Sequence, residues 1–479
     1  MSNSMSVPRL KKNAVGLWGS YGQAMAVTAP LGSVVSSLFA GALYAGANLP
    51  LVTFFAFVTS CAWIYLLSCF SSKINSAGGF YTYCANSLGG KVGYFEATTE
   101  FMAFLFTTVF EGMYVGIIVP SLIGVFGIEM PTWSWAPLTA LGIGLAIPLT
   151  YYDIAKTITK YVAVAATLEV VLLIGLGLYF VFKAGPANTV KVFTDINLAP
   201  HGLSGLATGY LLAVISVAGA GTATYLGEET KIPSKNIRRG MWVALILGGA
   251  SMILSSYSVV VTWGITHAAD LGGASVPLVK LAAKVSAALA VVTVLLAVNS
   301  LIVSNVGTNI AASRILFSLA REGGVPSKLA SVHGKHRSPY IASIFVGTVA
   351  VVVGLTTPLL FGFVDAYQVI AVAASVFWIM GRMVDSVSLP FFYYKKFIGE
   401  FNIVKHTLAP IVITAINAVG LGLTLLPPVY PSNFSIILVT SILLLWNGFY
   451  FFVKRGNTDM IGSYVVNDAG ELLLSTAKK

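Results

Sequence analysis

The sequence has 479 residues, of which only 9% are charged and 57% are hydrophobic. A soluble domain typically carries about 25% charged residues, so a water-soluble globular fold is excluded and lipid must solvate much of the chain. The net charge of +11 does not indicate nucleic-acid binding, because the basic residues lie in short loops between long apolar runs.

Taken in chain order, the apolar runs predict an all-α integral membrane protein. A helix needs about 20 apolar residues to cross a bilayer. Twelve such runs cover residues 15–43, 49–71, 91–122, 133–152, 158–183, 204–226, 240–264, 282–319, 340–357, 363–385, 406–427 and 434–453. We therefore expect a single transmembrane domain over residues 1–455. A short polar tail over 456–479 is expected to be exposed or disordered on the cytoplasmic side.

The placement of lysine and arginine predicts the orientation in the membrane. With the N-terminus in the cytoplasm, only four of the 28 basic residues fall on the outer side, namely Lys183, Lys191, Lys280 and Lys284. Cytoplasmic loops of membrane proteins are enriched in these residue types. We therefore expect a multi-pass protein of the cell (plasma or inner) membrane with both termini in the cytoplasm.

The first and sixth runs each contain a weak helix interior. The first is Thr28–Ser33, where Pro30 lacks an N–H group and Gly32 relaxes the backbone. The sixth is Ala218–Thr222, which reads AGAGT. Interrupted helices at matching positions of two halves indicate a transporter's binding site, although Gly and Pro are also common in membrane helices as kinks or packing sites.

These two interruptions predict a pocket for an α-amino acid. Free N–H groups at Leu31, Gly32 and Ser33, together with the positive end of a half-helix, suit a carboxylate. Free carbonyl groups near Ile215, Ser216 and Val217 suit an ammonium group. The predicted binding residues are Thr28, Ala29, Leu31, Gly32, Ser33, Ile215, Ser216, Val217, Ala218, Gly219, Ala220 and Gly221.

Several segments resemble the amino acid–polyamine–organocation (APC) permease family. Gly78–Tyr83 resembles the family's GGxYxY segment, and Tyr225–Pro233 resembles its AEExKNP stretch. Ala311–Arg314 and Ala320–Pro326 resemble the pair AASR and ARDGxLP. The motifs keep the family order from about residue 15 to 455, so together they are specific, whereas each alone is weak.

The resemblance implies a five-plus-five inverted repeat, as in the leucine transporter fold (LeuT), with helices 1 and 6 discontinuous. Repeat one would cover about 15–183, repeat two about 204–385, and helices 11 and 12 about 406–453. It also implies alternating access, with the substrate between helices 1, 3, 6, 8 and 10. Two departures stand out: Pro30 removes one donor, and the helix-six run lacks the aromatic residue and the acid of many relatives.

Acidic residues within the spans are costly in lipid, so each is a candidate for function. Glu96, Glu100 and Glu111 share one face of helix three at helical spacing. Glu96 lies near the cytoplasmic end, where water reaches it, whereas Glu100 and Glu111 are candidates for binding a substrate cation or carrying a proton. Glu169 in helix five is either a coupling residue or a structural one. Relatives with proton coupling carry a lysine at the position it resembles, in place of a bound sodium ion.

Three further sets of polar residues stand out, and two of these sets have two interpretations. Ser304 and Thr308 of helix eight either ligate sodium or hydrogen-bond between helices. Asp385 is expected to pair locally with Arg382. The remaining set is either a salt-bridged gate on the cytoplasmic side or a solvated loop, and comprises Glu228, Glu229, Arg238 and Arg239.

Other classes lack their motifs in this sequence. There is no HExxH, GxSxG or GxxxxGK[ST] pattern, which argues against a membrane enzyme and an ATP-driven pump, and no filter-like repeat indicates a channel. We expect a secondary active transporter that takes up amino acids, coupled to protons or sodium. An amine or polyamine importer, or an amino acid antiporter, is the alternative. No cofactor is expected, except for a bound sodium ion if sodium is the coupling ion. The expected partners are a small-molecule substrate and lipid, without nucleic acid, for a monomer or weak homodimer.

Overall fold

The computed structural model describes residues 7–151, 155–268, 270–273, 276–424, 430, 432–453 and 456–475. Eleven helical stretches within them are long and apolar enough to cross a membrane. This confirms the prediction of a multi-pass α-helical membrane protein. The stretch Leu17–Ser71 has 55 residues and contains the first two predicted spans, so the count of twelve spans stays a prediction.

The first part of the chain forms ten α-helices. They are α1 Leu17–Thr28, α2 Pro30–Ser33, α3 Phe39–Ala45, α4 Leu49–Ser71, α5 Phe80–Leu88, α6 Gly90–Val125, α7 Trp135–Gly144, α8 Ala146–Tyr151, α9 Ala155–Ala184 and α10 Lys191–Thr194. A π-helical turn, Val34–Leu38, joins α2 to α3, and a 3-10 turn, Gly46–Asn48, joins α3 to α4.

The second part continues with ten more α-helices and a hairpin. They are α11 Gly202–Ala218, α12 Pro233–Trp263, α13 Asp270–Gly273, α14 Pro277–Val285, α15 Ala287–Arg321, α16 Tyr340–Thr356, α17 Pro358–Phe361, α18 Phe363–Lys396, α19 Ala409–Thr424, α20 Ser432–Gly448, β1 Tyr464–Val466 and β2 Leu472–Leu474. Between α11 and α12 the chain forms a 3-10 helix, Gly219–Leu226.

The centre of the bundle is built around α6. This 36-residue helix has no distinct lipid-facing apolar stripe and is buried along most of its length, as expected of a helix at the centre of a bundle. It packs against α15 and α18, while α1 packs against α9 and α12. α2 and the 3-10 helix that follows α11 both contact α15, one of the helices packed against α6.

The described part of the tail is folded onto the bundle rather than disordered, and several of its residues are exposed, which is one of the two expected states. β1 and β2 pair antiparallel, with Tyr464 opposite Leu474. The Val466 N–H donates to the carbonyl group of Asn75 at 2.7 Å, which adds the α4–α5 connection beside the hairpin. The hairpin lies at the end of the bundle that also holds Lys12, which we call the basic face and which the sequence predicts to be cytoplasmic.

Some residues used to predict the orientation fall outside the described part of the chain. They are Lys454, Arg455, Lys478 and Lys479, together with the side chain of Lys156. Residues 476–479 of the predicted tail also lie outside it.

Candidate functional site

The first predicted interruption lies between α1 and α2. α1 ends at Thr28, Ala29 has left-handed backbone angles (φ 39°, ψ 67°), and α2 begins at Pro30. A proline disfavours the right-handed helical conformation for the residue before it, and a left-handed residue other than glycine costs about 1–3 kcal/mol. Ala29 therefore interrupts the α-helical geometry at the centre of the predicted binding segment.

The N–H groups at the start of α2 all have acceptors, contrary to the expectation that they are free. The Leu31 N–H donates to Glu169 Oε2 at 3.3 Å, and the Gly32 N–H donates to Ser300 Oγ at 3.0 Å. The Ser33 N–H donates to the carbonyl group four residues earlier at 2.7 Å. The positive end of a helix attracts acceptors, and in this conformation the chain itself supplies them.

Glu169 of α9 connects α2 with α15. Its Oε2 atom accepts a 2.6 Å hydrogen bond from the Ser300 hydroxyl of α15 in addition to the bond from Leu31. The side chain is 2% exposed, and hydrogen bonds to an ionised acceptor are about twice as strong as neutral ones. Three helices therefore meet at one carboxylate oxygen, and a change in its charge alters all of these contacts.

The second predicted interruption is a change of helix type. α11 runs to Ala218 and continues as the 3-10 helix from Gly219. Because an α-helix bonds four residues back and a 3-10 helix three, one carbonyl group is passed over where the pattern changes. Ile215, Ser216 and Val217 lie within α11 and are buried, so a carbonyl group left without an intrahelical partner belongs to this junction.

The two interrupted segments touch each other. A Cβ atom at Gly219 would overlap the backbone of Val27 and Thr28. One helical turn earlier, the Ser216 and Ser37 hydroxyls lie 2.7 Å apart. Glycine at position 219 thus permits the close approach of α1 and the start of the 3-10 helix. The other predicted residues of this segment, Ala220 and Gly221, are buried, and Gly221 packs against Trp63.

An aromatic layer lies between the interrupted segments and the basic face. The ring centroids of Trp63 and Phe80 are 5.3 Å apart, and those of Phe80 and Tyr225 are 4.9 Å apart. Phe104 completes the layer, at 5.3 Å from Tyr225 and 5.0 Å from Trp378. The five rings come from α4, α5, α6, the 3-10 helix and α18, so they close the centre of the bundle on this side.

Two of the glutamates on α6 are buried on the basic-face side of the aromatic layer. Glu96 and Glu100 are both 0% exposed, so the expectation that water reaches Glu96 was wrong in this conformation. None of their four carboxylate oxygens has a hydrogen-bond partner among the described residues. A buried carboxylate without a partner is energetically costly, so this pair is a site of stored electrostatic energy.

Asp385 and Arg382 of α18 lie beside this pair, but they do not form the expected ion pair. Asp385 instead accepts hydrogen bonds from the Trp63 indole at 3.1 Å and from the Cys84 thiol at 3.4 Å. Arg382 donates to the Ser60 hydroxyl at 3.1 Å, and its Cζ atom lies 4.3 Å from the ring centre of Trp63. Both side chains therefore contact Trp63 of α4, and Asp385 also contacts α5, but they do not pair with each other.

Glu111 lies on the other side of the aromatic layer. The hydroxyl groups of Ser304 and Thr308 lie there too, on α15, which corresponds to predicted helix eight. The carboxyl of Glu111 lies beside Ser304 of α15. The Thr308 hydroxyl is 2.6 Å from the Thr108 hydroxyl of α6 and donates to the Ser304 carbonyl at 3.0 Å. Thr308 thus makes the interhelical contact that was one of its two interpretations.

The predicted gate glutamates are paired, but with different arginines. Glu229 accepts two hydrogen bonds from Arg314, at 2.6 and 2.9 Å. Glu228 accepts one from Arg321 at 2.6 Å. All four side chains are at most 5% exposed. These pairs join the end of the 3-10 helix to the end of α15 and close the basic face.

Arg238 and Arg239, the predicted partners, are exposed on α12. Within the described part of the chain, neither forms an ion pair with these glutamates. Both side chains face solvent on α12, which fits the alternative of a solvated loop, and the glutamates pair with arginines of α15 instead.

Three important residues were missed by sequence reasoning. Ser300 lies four residues before Ser304, on the same helical face, so the serine–threonine stripe of α15 was the signal. Arg314 and Arg321 lie seven residues apart, again on one face, and both belong to the quoted family motifs. The pattern was visible, but the partners of these residues are distant in sequence.

This arrangement defines a class of protein. Helices that cross a membrane, two interrupted segments at the centre and paired charges at one end are features of a secondary transporter. Residues 18–452 match the family model described as amino acid permease, and the chain belongs to this family. It is therefore a transport protein and not an enzyme.

Two curated relatives support this assignment. The chain is 24% identical over 337 residues to the branched-chain amino acid permease BcaP of Bacillus subtilis, which covers 67% of this chain and 70% of the relative. It is 23% identical over 317 residues to the low-affinity putrescine importer PlaP of Escherichia coli, which covers 64% and 68%. Both are APC permeases, which confirms the resemblance found in the sequence.

Proposed function

We propose that this permease takes up amino acids or amines across the cell membrane by alternating access, driven by a proton gradient. The proposal includes twelve spans, a five-plus-five inverted repeat and both termini in the cytoplasm. It draws on the family match over residues 18–452 and on the charge distribution of the loops. In the described conformation, the aromatic layer and the pairs of Glu228 and Glu229 close the cytoplasmic side.

The observation that carries the proton coupling is the position of Glu169. An ionised Glu169 holds α2 and α15 together through the Leu31 N–H and the Ser300 hydroxyl. A proton on this carboxyl removes the charge that strengthens both bonds. Protonation therefore loosens α2 from α15, and the state of one carboxyl decides whether the interrupted segment of span one can move.

Sodium is the alternative coupling ion. Sodium is a hard cation like those that proteins hold with carboxylate, hydroxyl and carbonyl oxygens. Glu169, Ser300 and Ser304 supply such oxygens on α9 and α15. A protein in which sodium replaces the proton would still use the same carboxylate, so the two ions are separated by experiment.

The substrate class follows from the two ends of the site. The junction at Gly219 leaves a carbonyl group for an ammonium group, which amino acids and amines share. Glu169 already occupies the positive end of α2, where a substrate carboxylate would otherwise bind. This observation favours an amine without a carboxylate as the second candidate, in line with the putrescine importer among the relatives.

Uptake by the purified protein in liposomes tests the proposal. Radiolabelled branched-chain amino acids and putrescine are offered separately, first with an imposed pH gradient and then with a sodium gradient. The variant is Glu169→Gln, and the matched control is Glu129→Gln, which changes an exposed glutamate between α6 and α7.

We expect concentrative uptake under the pH gradient by the wild type and by Glu129→Gln, and its loss in Glu169→Gln. Uptake driven by sodium alone would replace the proton by sodium as the coupling ion. Exchange only after preloading of the liposomes would make the protein an antiporter and would contradict the proposed coupling.

A further inference from the structure

Three side chains from three elements converge on the basic-face side of the aromatic layer. Cys84 lies on α5, Glu96 on α6 and Asp385 on α18. The Cys84 sulfur and one carboxylate oxygen from each acid all lie within 4.8 Å of one another. All three residues are 0% exposed. This group is separate from Glu169, which lies beyond the aromatic layer.

Polar atoms without partners point into the same place. Both oxygens of Glu96 and both of the neighbouring Glu100 have no hydrogen-bond partner in the described part of the chain. The same holds for the Tyr225 hydroxyl of the 3-10 helix and for Nε and Nη2 of Arg382. Buried polar groups are nearly always hydrogen-bonded, so this concentration of orphaned atoms indicates a missing ligand.

The charges in this group do not cancel. The carboxylates of Glu96, Glu100 and Asp385 face a single guanidinium group, that of Arg382, and when all are ionised two negative charges are in excess. Burial of an uncompensated charge costs several kcal/mol per ion. Coordination as a thiolate adds the charge of Cys84, so a divalent cation would compensate two of three excess negative charges.

A glycine makes room for the acids. A Cβ atom at Gly381 of α18 would meet a carboxylate oxygen of Glu100 and one of Glu96. An alanine here would displace the carboxylate of Glu100 and crowd that of Glu96. The backbone of α18 at Gly381 therefore lines the space that holds the two carboxylates, and the absence of a side chain there keeps this space free.

We propose that Cys84, Glu96 and Asp385 bind a divalent transition-metal ion, with Glu100 balancing Arg382 beside it. A thiolate with two carboxylates suits a borderline ion of the zinc type. Zn–S and Zn–O bonds are about 2.3 Å and 2.0–2.2 Å, so the ligand atoms close in by about 1 Å when the ion binds. Bound metal would tie α5, α6 and α18 together and hold the cytoplasmic side closed.

Binding is measured on the full-length protein in detergent, freed of metal, so that the result does not depend on transport. Co²⁺ is titrated in, and the thiolate-to-cobalt absorption band reports coordination by cysteine. The variant is Cys84→Ser, and the matched control is Cys69→Ser, a half-buried cysteine of α4 outside this group.

We expect one equivalent of Co²⁺ with a thiolate band in the wild type and in Cys69→Ser, displaced by Zn²⁺, and loss of the band in Cys84→Ser. Gly381→Ala keeps every ligand and should weaken binding at least tenfold. If the wild type showed no thiolate-to-cobalt band, the proposal would be overturned. Two protons on the buried carboxyl groups would then be the compensating charges. A band that persists in Cys84→Ser would place the metal elsewhere and overturn it as well.

Discussion

At the scale of single residues, a close approach of two backbone segments in the protein core depends on one glycine. Gly219 has the backbone of Val27 and Thr28 as its neighbours, and backbone atoms cannot move aside as a flexible side chain can. Gly175 of α9 is also a helical glycine, but it has open space around its Cβ position.

Gly219→Ala is therefore expected to destabilise the protein by about 1–3 kcal/mol, the usual cost of overpacking, and to reduce uptake. Gly175→Ala should leave both unchanged. Thermal unfolding in detergent and uptake in liposomes check this. Equal melting temperatures for the two variants would show that α1 and the 3-10 helix do not need this contact.

A second residue-scale feature is the buried pair of Glu229 and Arg314. Removal of one partner leaves a buried charge alone, which typically costs about 3–5 kcal/mol. Arg314→Gln should therefore lower the melting temperature strongly, whereas Arg238→Gln, at an exposed position, should not. The double variant Glu229→Gln/Arg314→Gln should recover part of the loss, because no unpaired charge remains. If Arg314→Gln and Arg238→Gln lowered the melting temperature equally, Arg238 would belong to the gate, as one interpretation of the sequence predicts.

At the scale of elements, the C-terminal hairpin is attached to the bundle at several points. The Gly462 N–H donates to Glu322 Oε2 at 2.9 Å, and the Asn86 side chain donates to the Gly462 carbonyl at 2.8 Å. The Ser234 hydroxyl donates to Asp468 at 2.7 Å. The hairpin thus joins the start of α12 to α5 and the end of α15.

Glu322, just beyond the end of α15, makes this attachment sensitive to pH. Burial raises the pKa of Glu322 from about 4.5 to about 7, while the Gly462 N–H and the nearby Arg321 lower it. The burial of Tyr81 raises its pKa well above the ordinary value, so its hydroxyl stays protonated and donates to Glu322 at 2.9 Å.

Because the folded state binds this proton more tightly than the unfolded state, the stabilisation contributed by Glu322 is complete below about pH 4.5 and is lost as the pH rises through about 7. Glu322→Gln should flatten this part of the melting-temperature profile. The matched control Glu471→Gln, on the exposed end of the hairpin, should keep it. A profile that is unchanged in Glu322→Gln would assign the pH dependence to other groups.

At the scale of the whole molecule, composition and motif order were sufficient to predict a helical membrane transporter of the APC family. The sequence also located the two weak helix interiors and Glu169, because Pro30, the glycines and an acid in lipid are local signals. It did not predict that Glu169 and Ser300 accept hydrogen bonds from the N–H groups of α2. Nor did it predict that Arg314 pairs with Glu229. Those partners are 85 or more residues apart, and only the folded chain brings them together.

The tail shows the same limit. Its polar residues suggested disorder, although its two short apolar runs, Tyr464–Val466 and Leu472–Leu474, pair as strands. Its stability depends on bonds to Asn75, Asn86 and Glu322, which the tail sequence does not contain.

The most direct test of the central claim is the internal pH of liposomes that contain the protein and a trapped pH-sensitive dye. Addition of substrate outside, without an imposed gradient, should acidify the interior in the wild type and in Glu129→Gln, because substrate and proton enter together. Glu169→Gln should give no pH change. Accumulation of labelled substrate by the wild type with a constant internal pH would contradict the proposed role of Glu169 as the proton-coupling residue.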